Sequence, residues 1–223
     1  MPDRNGETSQ LSPATSLRLL QRGDQWTYQA IGTLTPPGSN PLELSGEITV
    51  SIEPDRRLGR SEWSTIVFSQ QFEITQADGS RQAMPAPAWM FWFVQDEQSR
   101  DVAIAADNMT RDGSPRIART PQVFYPGSWS AQTAYHNRLE FENGDVVENM
   151  LTVYDQERVE TKQGSFASWK ATISSHSAAT GMIEGMDWWT PELGAPAKFS
   201  TVSKMPDGAE IRFVATLETS NVL

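Results

Sequence analysis

The eight tryptophans of this 223-residue chain fall into two sets of four in roughly corresponding places. Trp26, Trp63, Trp89 and Trp92 form the first set; Trp129, Trp169, Trp188 and Trp189 form the second. Gly23-Asp24-Gln25-Trp26 opens the first and Pro126-Gly127-Ser128-Trp129 the second. Ser61-Glu62-Trp63-Ser64-Thr65-Ile66 is echoed by Ala167-Ser168-Trp169-Lys170-Ala171-Thr172-Ile173, and a double-tryptophan stretch follows in each half. The pattern predicts one β-rich unit written twice, with halves at 17–115 and 116–223 and a boundary in the polar stretch 108–121.

The residues between the tryptophans alternate with period two, as strands with one buried face do. Ile48, Val50 and Ile52 oppose Glu47, Thr49, Ser51 and Glu53. Ile66, Phe68, Phe72 and Ile74 share a face interrupted by Gln70, and Ile211, Phe213, Ala215 and Leu217 oppose Glu210, Arg212, Thr216 and Glu218. Turn residues separate these runs at 36–41, Asp78-Gly79, Asn143-Gly144 and Pro206-Asp207-Gly208. Asn143-Gly144 is the clearest hairpin signal. Helical periodicity is weak throughout, and its best stretch, 13–21 with Leu17, Leu19 and Leu20, is short. Parallel strands need long crossovers, usually helical, so the sheet is expected to be antiparallel. The expected fold is mainly β, a curved antiparallel sheet of roughly ten to twelve strands shaped as a half-barrel, with little helix. Residues 1–16, rich in Ser, Thr, Gly and Pro, read as a polar tail before a single domain at 17–223.

Acidic residues outnumber basic ones by 28 to 18, a net charge of −10 that repels phosphate backbones and anionic lipid. Nucleic acid is therefore a poor partner. The chain has no cysteine, which rules out disulfides, thiolate nucleophiles, iron–sulfur clusters and sulfur-ligated zinc. The longest apolar runs, 88–94 and 102–106, are too short to cross a bilayer, so no integral membrane segment is expected. Residues 1–10 lack the apolar stretch of a signal peptide. A cytoplasmic protein would start this way, as would an exported one whose signal has been replaced.

Leu20-Gln21-Arg22-Gly23-Asp24-Gln25-Trp26-Thr27-Tyr28 resembles the L-x-x-G-x-x-W-x-Y opening of certain bacterial exported β-rich proteins of uncharacterised role. Val159 to Phe166 resembles their V-x-x-x-x-G-x-F segment, and Trp188-Trp189-Thr190-Pro191-Glu192-Leu193-Gly194 resembles W-Y-x-P-x-x-G. That group is similar in outline to the LolA-like lipoprotein carriers, in which a curved antiparallel sheet wraps an apolar hollow. The resemblance implies a periplasmic or extracellular location and brings no catalytic residues.

Phosphate-binding, dinucleotide-binding and zinc-protease motifs are absent from the sequence, and no G-x-S-x-G elbow accompanies the two histidines. His136 and His176 read as surface residues. Carboxylates occur in near pairs such as Glu184 and Asp187, but a glycosidase needs two facing across a cleft at a set separation. No cofactor and no metal is expected, Met109 breaking the ligand alternation of a calcium loop at 107–113. The aromatic and thioether residues remain. Trp89, Trp92, Met182, Met186, Trp188 and Trp189 are the candidates for contact with a ligand or partner. Trp89, Phe91 and Phe93 share one strand parity; Met182, Met186 and Trp188 share another with Glu184. The expected function is non-catalytic: an aromatic-rich concave sheet face holding an apolar small molecule, a lipid-like ligand or a peptide. A structural or accessory subunit of a larger protein assembly is the alternative, and a carboxylate hydrolase the third reading.

Overall fold

The structure, a computed structural model, describes residues 15–222 except 56, 77, 85–87, 111 and 179–180. Among the described residues there is no helix. Thirteen strands run in chain order: β1 (Gln25–Thr35), β2 (Leu42–Pro54), β3 (Ser64–Thr75), β4 (Arg81–Met84), β5 (Trp89–Gln95), β6 (Val102–Asp107) and β7 (Arg116–Tyr125) in the first half. Then come β8 (Thr133–Glu140), β9 (Val146–Thr161), β10 (Gly164–Ser177), β11 (Gly181–Thr190), β12 (Ala195–Lys204) and β13 (Glu210–Ser220). All pair antiparallel in one sheet, ordered β7-β6-β5-β3-β2-β1-β13-β12-β11-β10-β9-β8, with the short β4 on β3.

Because β1 pairs with β13, the first and last strands are neighbours, and the two outer strands of the sheet, β7 and β8, come from mid-chain. The sheet curls until these two meet, so the expected curved antiparallel sheet forms a nearly closed barrel. Their seam is thin. It holds the single bridge Ala118↔Phe141, a bond from Glu142 N–H to Ile117 O at 2.9 Å, and one from the Asn137 side chain to Val123 O at 2.7 Å. Pro121 and a register shift between Ile104 and Ala106 interrupt β7, and proline is tolerated only where a strand is free on one side. Arg116 closes what the ladder leaves open. Its guanidinium donates to Asp107 of β6 at 2.7 and 3.2 Å and to Asp145 of the β8–β9 turn at 3.2 Å, and lies 4.2 Å from the Phe141 ring centre. Residues 108–121, read as a boundary, thus contain a loop and the first part of β7.

Tight curvature needs small residues on the concave side. At Gly32 of β1 an added Cβ would lie 1.9 Å from Arg212 O, and at Gly46 of β2 it would lie 2.1 Å from Gln71 O. Ala30 and Ala215 continue this narrow band, both with no exposed surface. Phe72 and Phe213 fill the space over it, their ring centres 5.8 Å apart.

One end of the barrel is covered. Residues 15–20 cross it extended, bound through Trp129 N–H to Thr15 O (2.7 Å), Leu17 N–H to Gly127 O (2.8 Å) and Arg18 N–H to Pro191 O (3.1 Å). The Gln95 side chain accepts from Leu20 N–H at 2.8 Å and donates to Arg18 O at 3.0 Å. Leu17, Trp129 and Leu193 are buried beneath this strap. The stretch 13–21, the best helical candidate in the sequence, is therefore extended where it is described. Its backbone bonds go to the loops it closes, and Leu17 and Leu20 reach the cavity lining. Residues 1–14 of the expected tail lie outside the described residues; Thr15 and Ser16 already pair with the β7–β8 loop.

Candidate functional site

Within the barrel, residues of twelve strands line a cavity of about 210 Å³. Its walls are set by the strand parities: Ile48, Val50 and Ile52 of β2, Ile66 and Phe68 of β3, Trp89 and Phe91 of β5, Ile173 of β10 and Phe199 of β12. Toward the strapped end it is bounded by rings. Trp129 stacks on Trp189 with centres 5.4 Å apart, Trp189 meets Tyr125 at 4.5 Å, and Tyr28 meets Phe199 edge-on at 5.1 Å. Such pairs add about 0.5–1.5 kcal/mol each beyond area burial, so this end is rigid.

At the other end the cavity is continuous with an open depression of about 840 Å³. Trp89, Met109 and Ile183 line both spaces. The rim comes from residues 108–110, 112 and 113 on one side and from Ala178, Ser203 and residues 205–207 on the other. Asn108 fixes the rim, accepting from Met90 N–H at 2.7 Å and donating to Ala88 O at 3.0 Å, which holds Trp89 at the mouth.

Polar groups inside are few. Gln70, Asn149, Ser175 and Thr201 reach the lining, as does the Asp107–Arg116 pair described above. Burial pushes the Asp107 carboxyl up while the hydrogen bonds and charge of Arg116 pull it down; burial prevails. Asp187 differs from all of these. It points inward from β11, is 9 % exposed, and receives one hydrogen bond among the described residues, from Trp189 Nε1 at 3.2 Å. Burial without a cation raises its pKa to about 7. Burial also raises the phenols of Tyr28 and Tyr125, helped by the charge of Asp187. The Nε1 of Trp26, the Nε1 of Trp129 and the Oδ1 of Asn149 are buried without a partner.

Of the six residues singled out in the sequence, two meet the cavity: Trp89 at its mouth and Trp189 near its base. Trp92 faces outward from β5 and is buried under the β2–β3 loop, its Nε1 donating to Asp55 at 2.8 Å. That carboxylate also accepts from the Arg57, Leu58 and Arg60 amides, which with the indole hold its pKa below the usual range against a burial contribution that raises it. Met182, Met186 and Trp188 share a face, as their parity requires, but it is the outer one. Trp188 donates to Glu157 at 2.6 Å and lies under Lys198 at 4.8 Å from its ring centre; Lys170 also binds Glu157, at 2.7 Å. Lys170 and then Trp188 hold the Glu157 carboxyl below the ordinary value. Sequence reading missed Tyr28, Phe68, Phe91, Phe199 and Asp187. The near pair Glu184 and Asp187 is three residues apart on a strand, so the two face opposite ways, Glu184 to solvent and Asp187 inward. His136 and His176 are exposed on outer faces.

No family model matches the chain, and no curated protein matches it. Two solved structures are similar in outline. One is a protein from Bacteroides fragilis with a YmcC-like fold, assigned as exported, at 10% identity and a TM-score of 0.40; the similarity covers 93% of this chain and 100% of that one. The other, from Parabacteroides distasonis, is assigned as a lipoprotein, at 10% identity and a TM-score of 0.37 over 93% of this chain and 99% of that one. No described helix is long and apolar enough to cross a membrane.

Proposed function

We propose that this is a non-catalytic binding protein that holds a small apolar ligand inside the barrel. The observation that carries the reading is the cavity of about 210 Å³, walled by aliphatic and aromatic side chains and adjoining an open depression at one end. An empty apolar space of roughly 150 Å³ already takes up a molecule the size of benzene, because void lining forfeits contacts that a ligand restores. A larger ligand would seat one end among Phe68, Phe91 and Phe199 and leave the rest in the depression beside Trp89. The likeness to lipoprotein carriers, and export with it, belongs to this proposal; a net charge of −10 argues against nucleic acid as the partner.

Native mass spectrometry of protein purified from its own host tests it. A bound small molecule, released on unfolding, is the expected result. A cavity that stays empty in that protein, and takes up no apolar probe from solution, would defeat the reading.

The accessory-subunit reading keeps one supporting observation. Across the outer face a row of uncharged residues runs through six strands in register, Thr152, Thr172, Met186, Ser200, Val214 and Ile31, with Ile31 64 % exposed. A contiguous uncharged band of this kind suits a partner. A co-purifying protein rather than a small molecule would favour it.

A further inference from the structure

Asp187 is a carboxylate placed where the fold has no use for one. It pairs with no cation among the described residues, it lines the cavity, and an apolar side chain there would spare the chain the cost of burying charge. Around it stand rings: Tyr28 of β1, Tyr125 of β7, Phe199 of β12 and Trp189 two residues along its own strand. The rest of the lining sets the sign of what could approach. Arg116 is the cavity's one lysine or arginine among the described residues, and it is already shared by two carboxylates, Asp107 at 2.7 Å and Asp145 at 3.2 Å. An anionic ligand would meet net negative charge and no free donor cation. A cation would meet both an unpaired carboxylate and the negative faces of several rings, an arrangement that binds ammonium groups more strongly the drier the site.

Building on the apolar-ligand reading above, we infer that the ligand is a small organic cation, a protonated amine on a short apolar body, whose N–H groups donate to the Asp187 carboxylate. Its hydrocarbon part lies against Ile48, Val50, Phe68 and Phe91.

Three probes of equal length separate the chemistry: hexylamine, hexan-1-ol and hexanoic acid, titrated into protein refolded from denaturant and followed by calorimetry and tryptophan fluorescence. At pH 8.5 hexylamine should bind at least tenfold more tightly than hexan-1-ol, and hexanoate more weakly than either. At pH 5.5 the amine stays charged but Asp187 takes up a proton, so the preference for amine over alcohol should disappear. Tyr28 and Tyr125, which face Asp187, are raised by burial and stay neutral throughout; Asp107, elsewhere on the lining, is the other group that could respond. Asp187→Asn isolates the effect: hexylamine should lose its preference over hexan-1-ol at both pH values. Alcohol binding with no amine preference, or a preference that Asp187→Asn leaves intact, would overturn the cation while leaving an apolar ligand standing. Failure of all three probes to bind would overturn both. If Asp187→Asn does not fold, the pH dependence of the wild-type preference decides.

Discussion

Asp187 makes a quantitative prediction about stability that needs no ligand. In the unfolded chain its pKa takes the ordinary value of 3.8, and in the barrel it is about 7, raised by burial. Between those values the folded state binds more protons than the unfolded state, so stability falls as pH rises. The loss begins near pH 4, is complete above about pH 7, and at roughly 1.4 kcal/mol per pH interval amounts to about 4 kcal/mol. Asp187→Asn removes the charge while keeping an oxygen for Trp189 Nε1. It should therefore stabilise the empty protein by about 2–4 kcal/mol at pH 8 and change it by less than about 1 kcal/mol at pH 4. Urea denaturation of both proteins at pH 4, 5, 6, 7 and 8 measures this. Taking the difference between them cancels carboxylates that slope the other way, such as Asp55 and Glu157, whose lowered pKa values give stability that is lost only on acidification. A difference independent of pH, or a variant less stable than wild type at pH 8, would refute the placement of an unpaired carboxylate in the barrel.

The seam between β7 and β8 depends on Arg116, so Arg116→Met should cost about 3–5 kcal/mol by leaving Asp107 buried and unpaired, and faster amide exchange in β7 and β8 should locate the damage. Adding Asp107→Leu to that variant should recover most of the loss in denaturant melts. Leu17→Ala, which hollows the strap, should cost about 2–4 kcal/mol by the same measurement. Gly46→Ala drives a methyl onto the Gln71 carbonyl at 2.1 Å and should yield little folded protein by circular dichroism. Trp89→Ala should weaken probe binding severalfold, whereas Trp188→Ala, on the outer face, should leave it within twofold in the fluorescence titration.

How much of this was legible in the sequence follows from what a two-residue period contains. Alternation reports which residues share a face, and every parity drawn for β2, β3 and β13 holds: Ile48, Val50, Ile52, Ile66, Phe68 and Phe213 all line the cavity, and Gln70 interrupts its run from the inside. The turns at Asp78-Gly79, Asn143-Gly144 and Pro206-Asp207-Gly208 are where their positive-φ glycines place them. Alternation does not report which of two faces is concave. For β11 the face carrying Met182, Met186 and Trp188 is the more apolar by volume, yet it is the outer one. The inner set is Ile183, Gly185, Asp187 and Trp189. Its glycine lets the sheet bend, since an added Cβ there would lie 2.7 Å from Ser200 O, and its carboxylate reads as the polar side of a strand. The same ambiguity misplaced Trp92, whose burial comes from a loop folded over the outside of β5 rather than from the core.

The feature that hid the site is therefore the one that defines it. A strand whose inner face carries a charge and whose outer face carries a tryptophan violates the rule by which faces are assigned, and violations of that rule concentrate where a protein keeps function at a cost in stability. Trp188 can afford the outer face because Glu157, Lys170 and Lys198 cover its ring and bind its Nε1. Asp187 has no such compensation among the described residues. Its neighbours in register, Ala171 on β10 and Phe199 on β12, are apolar, so its charge is relieved by a proton or, on the proposed reading, by a cation from the space it faces. The end behind it is covered by Trp129, Trp189 and the strap, and the other end adjoins the depression past Trp89. On the proposed reading the compensating cation enters past Trp89 and lies along the apolar lining with its charge at Asp187. On that reading a molecule with a charged tip and a slender hydrocarbon body fits both ends of the path.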